Sequence, residues 1–427
     1  MTRIGFAYNQ KPDEGAPLGG DADADATRAD DEPPSTRRDA SSRTQTPPAL
    51  QGAFGDDSLF APHHPATQGA PPLPDDEFAE WDSADTVDAV ATALSALGTV
   101  VRLEADEHFP ERLRDARPDI VFNMAEGLNG VNREAHVPAI CEFLGVPYSG
   151  SDPFTLSLCL DKARAKETLT YHGVPNAPFV LVHTDEEIDR LVGALANPHA
   201  SGVRRGRSRT AELNRPSLTL PIFVKPVHEG SSKGITERNL CRTVAELEEM
   251  TRFLLETYRQ PVLVEEYLPG AEFTCAVLGN GRDATVLPII AMNFAALPSG
   301  AAPVYGFEAK WVWDRRDDPL DLFECPARVT PKLQRAIERV TLDAYRVLGC
   351  RDWGRVDVRL DARGTPNVVE VNPLPGILPN PADNSCFPKA ARAAGIGYDE
   401  LIQTCLTNAA ERQGVALRAA AVRERVA

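Results

Sequence analysis

The sequence has no apolar run near the ~20 residues that a membrane-spanning helix needs. Its amino terminus, MTRIGFAYNQ, lacks the long apolar segment and small-residue cleavage site of a secretory signal. None of its eight cysteines forms a C-x-x-C pair, which argues against a zinc knuckle or a redox motif. These absences predict a cytoplasmic protein in which most cysteines are buried apolar residues.

Positively charged residues are also fewer than negatively charged ones. The 427 residues include 45 Lys and Arg against 62 Asp and Glu, a formal net charge of −17. Sequence-independent binding to nucleic acid and docking on an anionic membrane both need clustered cations, so we expect neither kind of partner. The length and a hydrophobic content of 42% predict a soluble protein of about two or three domains.

Residues 11–80 differ in composition from the rest of the chain. They contain fifteen acidic and five basic residues, a net charge of −10, and eleven prolines. Such a segment buries too little apolar surface to offset its ordering entropy, so we predict a disordered insertion. Residues 197–220, with RRGRSR and scattered Gly and Pro, are predicted to form a second, flexible insertion.

Outside these insertions, strand and helix patterns follow one another. Strand 4–8, a helix capped by Ser83, and strands 100–103 and 119–123 predict a Rossmann-like parallel sheet. Thr330-Pro331 opens a predicted amphipathic helix. Later strands are expected to pair in antiparallel sheets and comprise residues 221–227, 262–268, 272–278, 285–292, 355–360 and 367–371. The fold class is therefore α/β in the first part and α+β in the second.

Two of these strands each carry polar side chains two residues apart. Arg355 and Asp357 lie in GRVDVRLD, and Glu370 and Asn372 lie in VVEVNPLPG. Residues two apart in a strand share a face, and a short turn joins these strands, so the four side chains can converge. Hard oxygen ligands with open positions suit Mg²⁺ bound together with nucleotide phosphates. For Arg355 and Asp357 alone, a solvated outer face is the alternative.

Three further segments carry side chains that suit a nucleotide. In FVKPVHEGSSKGI, Lys225 ends an apolar strand, and the amides and hydroxyls of the loop with Ser231 and Ser232 can cradle phosphate. In VEEYLPGAEFT, a carboxylate such as Glu272 can accept ribose hydroxyls. Lys162 begins a helix in LDKARAKETL. Taken alone, the glycine–serine loop is also typical of a flexible loop, and the acids of VEEYLPGAEFT and the helix lysine are more typical of a solvated surface.

Taken together in their order along the chain, these five segments resemble the ATP-grasp superfamily and, within it, the D-alanine–D-alanine ligases. The resemblance also rests on DIVFNMAEG, GVPYSGSD and EAKW and spans roughly residues 81–405. It implies a Rossmann-like domain, residues 1–10 plus 81–150, followed by an ATP-grasp fold of a small subdomain, residues 151–270, and a large one, residues 271–427. It also implies that ATP phosphorylates the carboxylate of one amino acid, after which the amine of a second attacks the acyl phosphate.

The resemblance implies roles for residues at matching positions. Lys310 of EAKW approaches the γ-phosphate, whereas Arg355 and Gly376 stabilise the oxyanion of the tetrahedral intermediate. Two Mg²⁺ (or Mn²⁺) ions are held by Asp357, Glu370 and Asn372. The contacts to ATP are made by Lys162 and Lys225 at the α- and β-phosphates, by Ser231 and Ser232 in the closing loop, by Glu265, Glu266, Tyr267 and Leu268 at the adenine hinge, and by Glu272 at the ribose.

The chain departs from the family where the amino acids bind. Tyr8-Asn9-Gln10 leads into the insertion instead of a Gly-Gly and Ser-x-Glu segment, for which Glu80 is a candidate replacement. Glu126 takes the place of a histidine, and Ser385 lies in a longer, proline-rich stretch where the family places a serine at the second carboxylate. ATP-dependent ligation is therefore better supported than D-alanine as the substrate.

Two alternatives to a D-alanine–D-alanine ligase stay open. One is an ATP-grasp ligase that joins other amino acids or small peptides, and the other is a non-catalytic ATP-binding module. The intact acidic set and Arg355 argue against the second alternative. Small amino acids are the expected partners, and the resemblance implies a homodimer.

Overall fold

The computed structural model describes residues 1–12, 80–196, 218–314 and 320–418. The two predicted insertions, residues 11–80 and 197–220, therefore lie almost entirely outside the described residues. Apart from Pro12, the described residues belong to one compact unit. None of their helices has the length and apolar character needed to cross a membrane.

Residues near the amino terminus form a parallel sheet, as predicted. Its elements in chain order are β1 (Arg3–Tyr8), α1 (Ala84–Ser95), β2 (Thr99–Glu104), α2 (Phe109–Ala116) and β3 (Ile120–Asn123). β1 lies between β2 and β3. Ile4 and Phe6 pack in one cluster with α1 and Ala7 in another with α2, so helices cover both faces of the sheet. The predicted cap is confirmed, because the Ser83 hydroxyl accepts the N–H of Thr86.

A second, antiparallel sheet follows after three helices. The elements are α3 (His136–Leu144), α4 (Pro153–Leu160), α5 (Lys162–Tyr171), β4 (Phe179–Val182), α6 (Asp185–Ala196), β5 (Ile222–Pro226), β6 (Leu240–Cys241), α7 (Val244–Tyr258) and β7 (Val262–Glu266). The strand order is β4-β7-β5-β6. β7 ends two residues before the predicted end, and the Tyr267 N–H that follows it donates to the Pro221 carbonyl at 3.2 Å.

The third sheet is also antiparallel. Its elements are β8 (Glu272–Leu278), β9 (Thr285–Val286), β10 (Ile290–Met292), β11 (Phe323–Glu324), α8 (Pro331–Val347), β12 (Trp353–Leu360), β13 (Pro366–Asn372), α9 (Cys386–Ala393) and α10 (Tyr398–Gln413). The strand order is β11-β10-β8-β12-β13, with β9 beside β8. The single strand predicted over residues 285–292 is wrong. Two short strands form instead, because Pro288 lacks an N–H to donate between them.

The alternation of side chains along β12 positions the polar set. Val356 and Val358 point into a core that also contains Ile337 and Ala344 of α8. The intervening residues Arg355, Asp357 and Arg359 therefore share the opposite face of the sheet. β12 pairs with β13 so that Arg355 lies opposite Asn372 and Asp357 opposite Glu370. The predicted convergence of these four side chains is present in the register.

Buried polar contacts fix the start of β12. Asp352 is fully buried and accepts hydrogen bonds from the Arg412 guanidinium, the Gly150 N–H and the Asn280 amide. These contacts connect β12 to α10, to the segment before α4 and to the turn after β8. They compensate the charge that burial would otherwise penalise, so the network holds the strand in place.

The domain boundaries predicted above stay a prediction.

Candidate active site

A cavity of about 560 Å³ is lined by strands of the two antiparallel sheets and by loops, including the segment that follows β3. Every residue assigned a site role from the sequence lines this cavity: Glu126, Lys162, Lys225, Ser231, Ser232, Glu265, Glu266, Tyr267, Leu268, Glu272, Lys310, Arg355, Asp357, Glu370, Asn372, Gly376 and Ser385. The structure therefore brings the whole set together. The individual roles stay predictions.

The acidic pair lies on β12 and β13. Asp357 accepts hydrogen bonds from the Arg355 guanidinium at 3.0 Å and from the Thr274 hydroxyl at 2.9 Å. Burial raises the pKa of Asp357 above its usual value, and Glu370 raises it further against the opposing charge of Arg355. Burial would also raise the pKa of Glu370, but Lys162 and Lys225 outweigh it and lower that pKa. Nearby cations thus compensate the negative charge of Glu370 well, whereas the charge of Asp357 is compensated less completely.

The donor set fits a cation that also binds phosphate. Among the residues that the structure describes, no group of three or more His, Cys, Asp or Glu side chains forms a complete metal site. Asp357 and Glu370 supply two facing carboxylates, and Asn372 adds an amide oxygen that already accepts the Leu374 N–H at 2.8 Å. Such a partial set of hard oxygen ligands leaves coordination positions open for phosphate and water, as Mg²⁺ sites require.

Three buried charged side chains, Glu265, Lys166 and Lys225, lie together beside the cavity. The Glu265 carboxylate is 2.8 Å from the ammonium groups of both Lys166 and Lys225. Burial alone would raise the pKa of Glu265, but the two lysines hold it at about 2. Its side chain is therefore engaged by two lysines, which sequence reasoning did not anticipate. Lys166 was missed, although its position four residues after Lys162 places both on one helix face.

Glu266, predicted at the adenine hinge, and Glu272, predicted at the ribose, differ in what their side chains contact. The Glu266 carboxylate accepts hydrogen bonds from the N–H and hydroxyl of Thr219. The carboxylate of Glu272, by contrast, forms an ion pair with Arg359 at 2.6 Å. Arg359 is the second residue that sequence reasoning missed. It follows Asp357 by two positions on β12, so the pattern that revealed Asp357 also indicated its face.

The glycine–serine loop contacts the segment that carries Lys310. The Ser232 hydroxyl donates to the Tyr305 carbonyl at 3.1 Å, and the Lys310 ammonium donates to the Ser231 hydroxyl at 3.3 Å. Ser231 and Ser232 both adopt left-handed backbone conformations, with φ of 48° and 64°. Non-glycine residues are strained there, and such strain concentrates at functional sites. Burial and the nearby Arg355 charge lower the pKa of Lys310 to about 8.

Glutamates and positively charged side chains lie close together at another end of the cavity. Glu80 accepts hydrogen bonds from the Arg133 guanidinium at 2.9 Å and lies 3.5 Å from the Lys233 ammonium. A Cβ at Gly230 would lie 2.2 Å from a carboxylate oxygen of Glu80, so a larger residue there would force the Glu80 side chain to shift. Burial raises the pKa of Glu134, another cavity residue that sequence reasoning missed, to about 7. Burial also raises the pKa of Glu126 well above its usual value.

Ser385 and Gly376 belong to one loop. The Ser385 hydroxyl donates to the Gly376 carbonyl at 3.2 Å and accepts the Leu378 N–H at 3.3 Å. Ser385 thus connects the end of the proline-rich stretch to its beginning by hydrogen bonds. In the described part of the chain, the N–H of Gly376 donates no hydrogen bond, and the Nε–H of Arg355 is buried without an acceptor.

Comparisons with known proteins identify the family of this chain. A family model described as the D-ala D-ala ligase C-terminus matches residues 199–407. The chain is 31% identical over 337 residues to a D-alanine–D-alanine ligase of Pelotomaculum thermopropionicum, which covers 79% of this chain and 94% of that protein. It is 33% identical over 341 residues to the uncharacterized protein y4sG of Sinorhizobium fredii, with 78% and 89% covered.

A solved structure supports the fold. The crystal structure of a D-alanine–D-alanine ligase from Bacillus anthracis complexed with ATP matches with a TM-score of 0.54 and 22% sequence identity. The match covers 77% of this chain and 94% of that one. The predicted fold class, with an ATP-grasp fold, is therefore confirmed. The chain belongs to the D-alanine–D-alanine ligase family of ATP-dependent carbon–nitrogen ligases.

Proposed function

We propose that this protein joins two small amino acids through an acyl phosphate, with D-alanine as the first candidate for both. The observation that carries the proposal is the register of β12 and β13. It places Asp357 opposite Glu370 and Arg355 opposite Asn372 in the cavity that Lys162 and Lys310 also line. Because the substrate carboxylate is itself the nucleophile toward ATP, the reaction needs positioning and charge neutralisation rather than a protein nucleophile.

Mg²⁺ would be held by Asp357, Glu370 and Asn372, the oxygen donors identified above. When bound, it supplies charge neutralisation on the phosphate oxygens. The carboxylate of Asp357 suits this task, because its burial beside Glu370 is only partly compensated by Arg355. Lys162 and Lys225 would contact the phosphates farther along the nucleotide.

Arg355 and Gly376 would hold the oxyanion that forms when the amine attacks. The two N–H groups without acceptors described above, the Arg355 Nε–H and the Gly376 backbone N–H, support this assignment. The Arg355 Nε–H is buried, and a donor that is already in place needs no rearrangement when negative charge develops. Lys310 would neutralise the γ-phosphate from its loop.

The first amino acid would place its ammonium near Glu126 and Glu134. The candidate replacement Glu80 already lies between Arg133 and Lys233, so its charge is compensated. Within the described residues, no hydrogen bond or ion pair engages the carboxylates of Glu126 or Glu134. Ser385 shapes the loop on which the second amino acid would rest. A homodimer and a cytoplasmic location are part of the proposal.

A substrate panel tests the proposed function. Phosphate release is measured with ATP, Mg²⁺ and a set of D- and L-amino acids, and mass spectrometry identifies each product. We expect amino-acid-dependent phosphate release and a dipeptide, with D-alanine among the best substrates. A dipeptide made from other amino acids would support ATP-dependent ligation but would replace D-alanine as the proposed substrate. ATP binding without any amino-acid-dependent turnover would contradict ligation.

Lys310 predicts a pH dependence. Its ammonium is charged below a pKa of about 8 and neutral above it. We therefore expect kcat/KM for ATP to be level below pH 8 and to fall about tenfold per pH unit above it. Lys310→Arg should remove this fall, because a guanidinium stays charged in this range. Lys332→Arg at an exposed position is the control. A fall that persists unchanged in Lys310→Arg would contradict the assignment.

A further inference from the structure

Arg359 lies deep beside the nucleotide end of the cavity, and no role follows for it from the sequence motifs. It is 7% exposed and stands on β12 directly opposite Glu272 of β8. The two charged groups are 2.6 Å apart. We propose that Arg359 is a positioning residue of the nucleotide site, which holds Glu272 and Tyr267 in the arrangement that receives the ribose and the base. The inference rests on the proposed function, in which Glu272 accepts the ribose hydroxyls.

The ion pair controls both the direction and the charge of Glu272. One carboxylate oxygen of Glu272 is engaged by the guanidinium, which leaves the other to accept from a ligand. Burial raises the pKa of Glu272, whereas the Arg359 charge opposes this. Without Arg359 the carboxyl would be more readily protonated and would lose its fixed orientation, so it would accept ribose hydroxyls poorly.

The same guanidinium also contacts the hinge. It lies over the Tyr267 ring at 4.7 Å from the ring centroid and over the Phe294 ring at 5.4 Å. Its terminal nitrogen Nη2 donates to the Tyr267 hydroxyl and also to the Pro303 carbonyl, at 3.0 Å. A planar guanidinium can stack and form several hydrogen bonds at once, which an ammonium cannot. Arg359 thus connects β8, the hinge and the loop before Lys310.

The arrangement is not the one that stability alone would select. In the part of the chain that the structure describes, the Nε–H of Arg359 is buried and has no acceptor. A buried donor without an acceptor is rare in folded proteins. A purely structural cross-strand pair between β8 and β12 would need neither the stacking on Tyr267 nor the contact at Pro303. Arg359 and two of its partners, Glu272 and Tyr267, line the cavity.

Nucleotide binding tests this inference without requiring ligation. Dissociation constants for ADP and 2′,3′-dideoxyADP are measured by calorimetry in the presence of Mg²⁺. We expect the wild-type protein to prefer ADP by about tenfold or more, because Glu272 would be left without its hydroxyl partners by the dideoxy analogue. Arg359→Met should weaken ADP binding about tenfold and bring the preference close to one.

Two further variants show whether Arg359 acts through Glu272. Glu272→Gln should also abolish the preference, and combining it with Arg359→Met should lower the preference no further, since both changes remove one interaction. Arg363→Met is the matched control. Arg363 lies in the turn that follows Arg359, and its ion pair with Asp361 is solvent-exposed. We expect this control to bind both nucleotides as the wild type does.

The outcomes separate the inference from the proposed function. An unchanged preference in Arg359→Met, or no preference in the wild type, would overturn the inference and leave ligation standing. ADP discrimination with the expected variant effects but no dipeptide product would overturn ligation alone. If Arg359→Met does not fold, Arg359→Lys decides. It keeps the charge but not the planar fork, so the preference should fall at least about threefold, and an unchanged preference would overturn the inference.

Discussion

Glu370→Gln is expected to abolish measurable turnover, a loss of about 10³-fold or more, while the protein stays folded. Glutamine keeps the shape of the side chain but removes the negative charge that faces Asp357 and lies 3.3 Å from the Lys162 ammonium. The proposed Mg²⁺ site then loses one of its two carboxylates. Amino-acid-dependent phosphate release measures the loss, and thermal unfolding checks the fold.

Glu324→Gln is the matched control for this result. Glu324 lies on β11 of the same sheet, where its ion pair with Arg328 is exposed to solvent. We expect this variant to keep wild-type turnover, because an exposed ion pair contributes little and lies outside the cavity lining. A fully active Glu370→Gln protein would remove the metal assignment.

Glu265→Gln is expected to lower the free energy of unfolding by about 3–5 kcal/mol. The carboxylate is 5% exposed and compensates the ammonium groups of Lys166 and Lys225, each 2.8 Å away and itself buried. Glutamine would leave both cations without their counter-charge in the core. Chemical denaturation of the two proteins at neutral pH measures the difference.

The pH dependence of that difference follows from the pKa of Glu265. The folded-state pKa is about 2, which is below the value of about 4.3 in the unfolded chain. The stabilisation by Glu265 is therefore fully present above the unfolded value and is lost as the pH falls toward 2. The stabilities of the wild type and the variant should converge in acid. A difference that stays constant to the lowest pH reached would contradict the ion-pair origin.

An exposed ion pair provides the control for Glu265. Glu249 pairs with Arg238 on the surface, so Glu249→Gln should change the free energy of unfolding by less than about 1 kcal/mol. Adding Lys166→Met to Glu265→Gln should recover part of the stability, because it removes one of the two uncompensated cations. No recovery would mean that packing rather than charge explains the loss.

Local signals account for the elements that were predicted well. The Ser83 and Thr330 caps and the apolar spacing of the helices each act within a few residues. The error over residues 285–292 arose where Pro288 removed a hydrogen-bond donor inside an otherwise apolar run. The cavity set was found because paired strands with a period of two bring Asp357 and Glu370 to one face.

Contacts between distant residues could not be predicted in the same way. The Glu265 carboxylate was assigned to the hinge from its motif, yet it meets Lys166 and Lys225 from two other elements. Arg359 reaches Glu272 across 87 positions, and Glu80 reaches Arg133 across 53. Nothing in the spacing of these residues specifies the partner, because the partner depends on strand order and register.

The sequence by itself determined most of the succession of strands and helices, the shared face of Arg355 and Asp357, and many of the polar residues that line the cavity. These follow from side-chain periodicity and capping, which are properties of the local backbone. Only the tertiary structure decided which cation compensates each buried carboxylate. A buried charge needs a partner within a few ångströms, because it has lost its contact with water. The assembly of the sheets determines which side chains come that close.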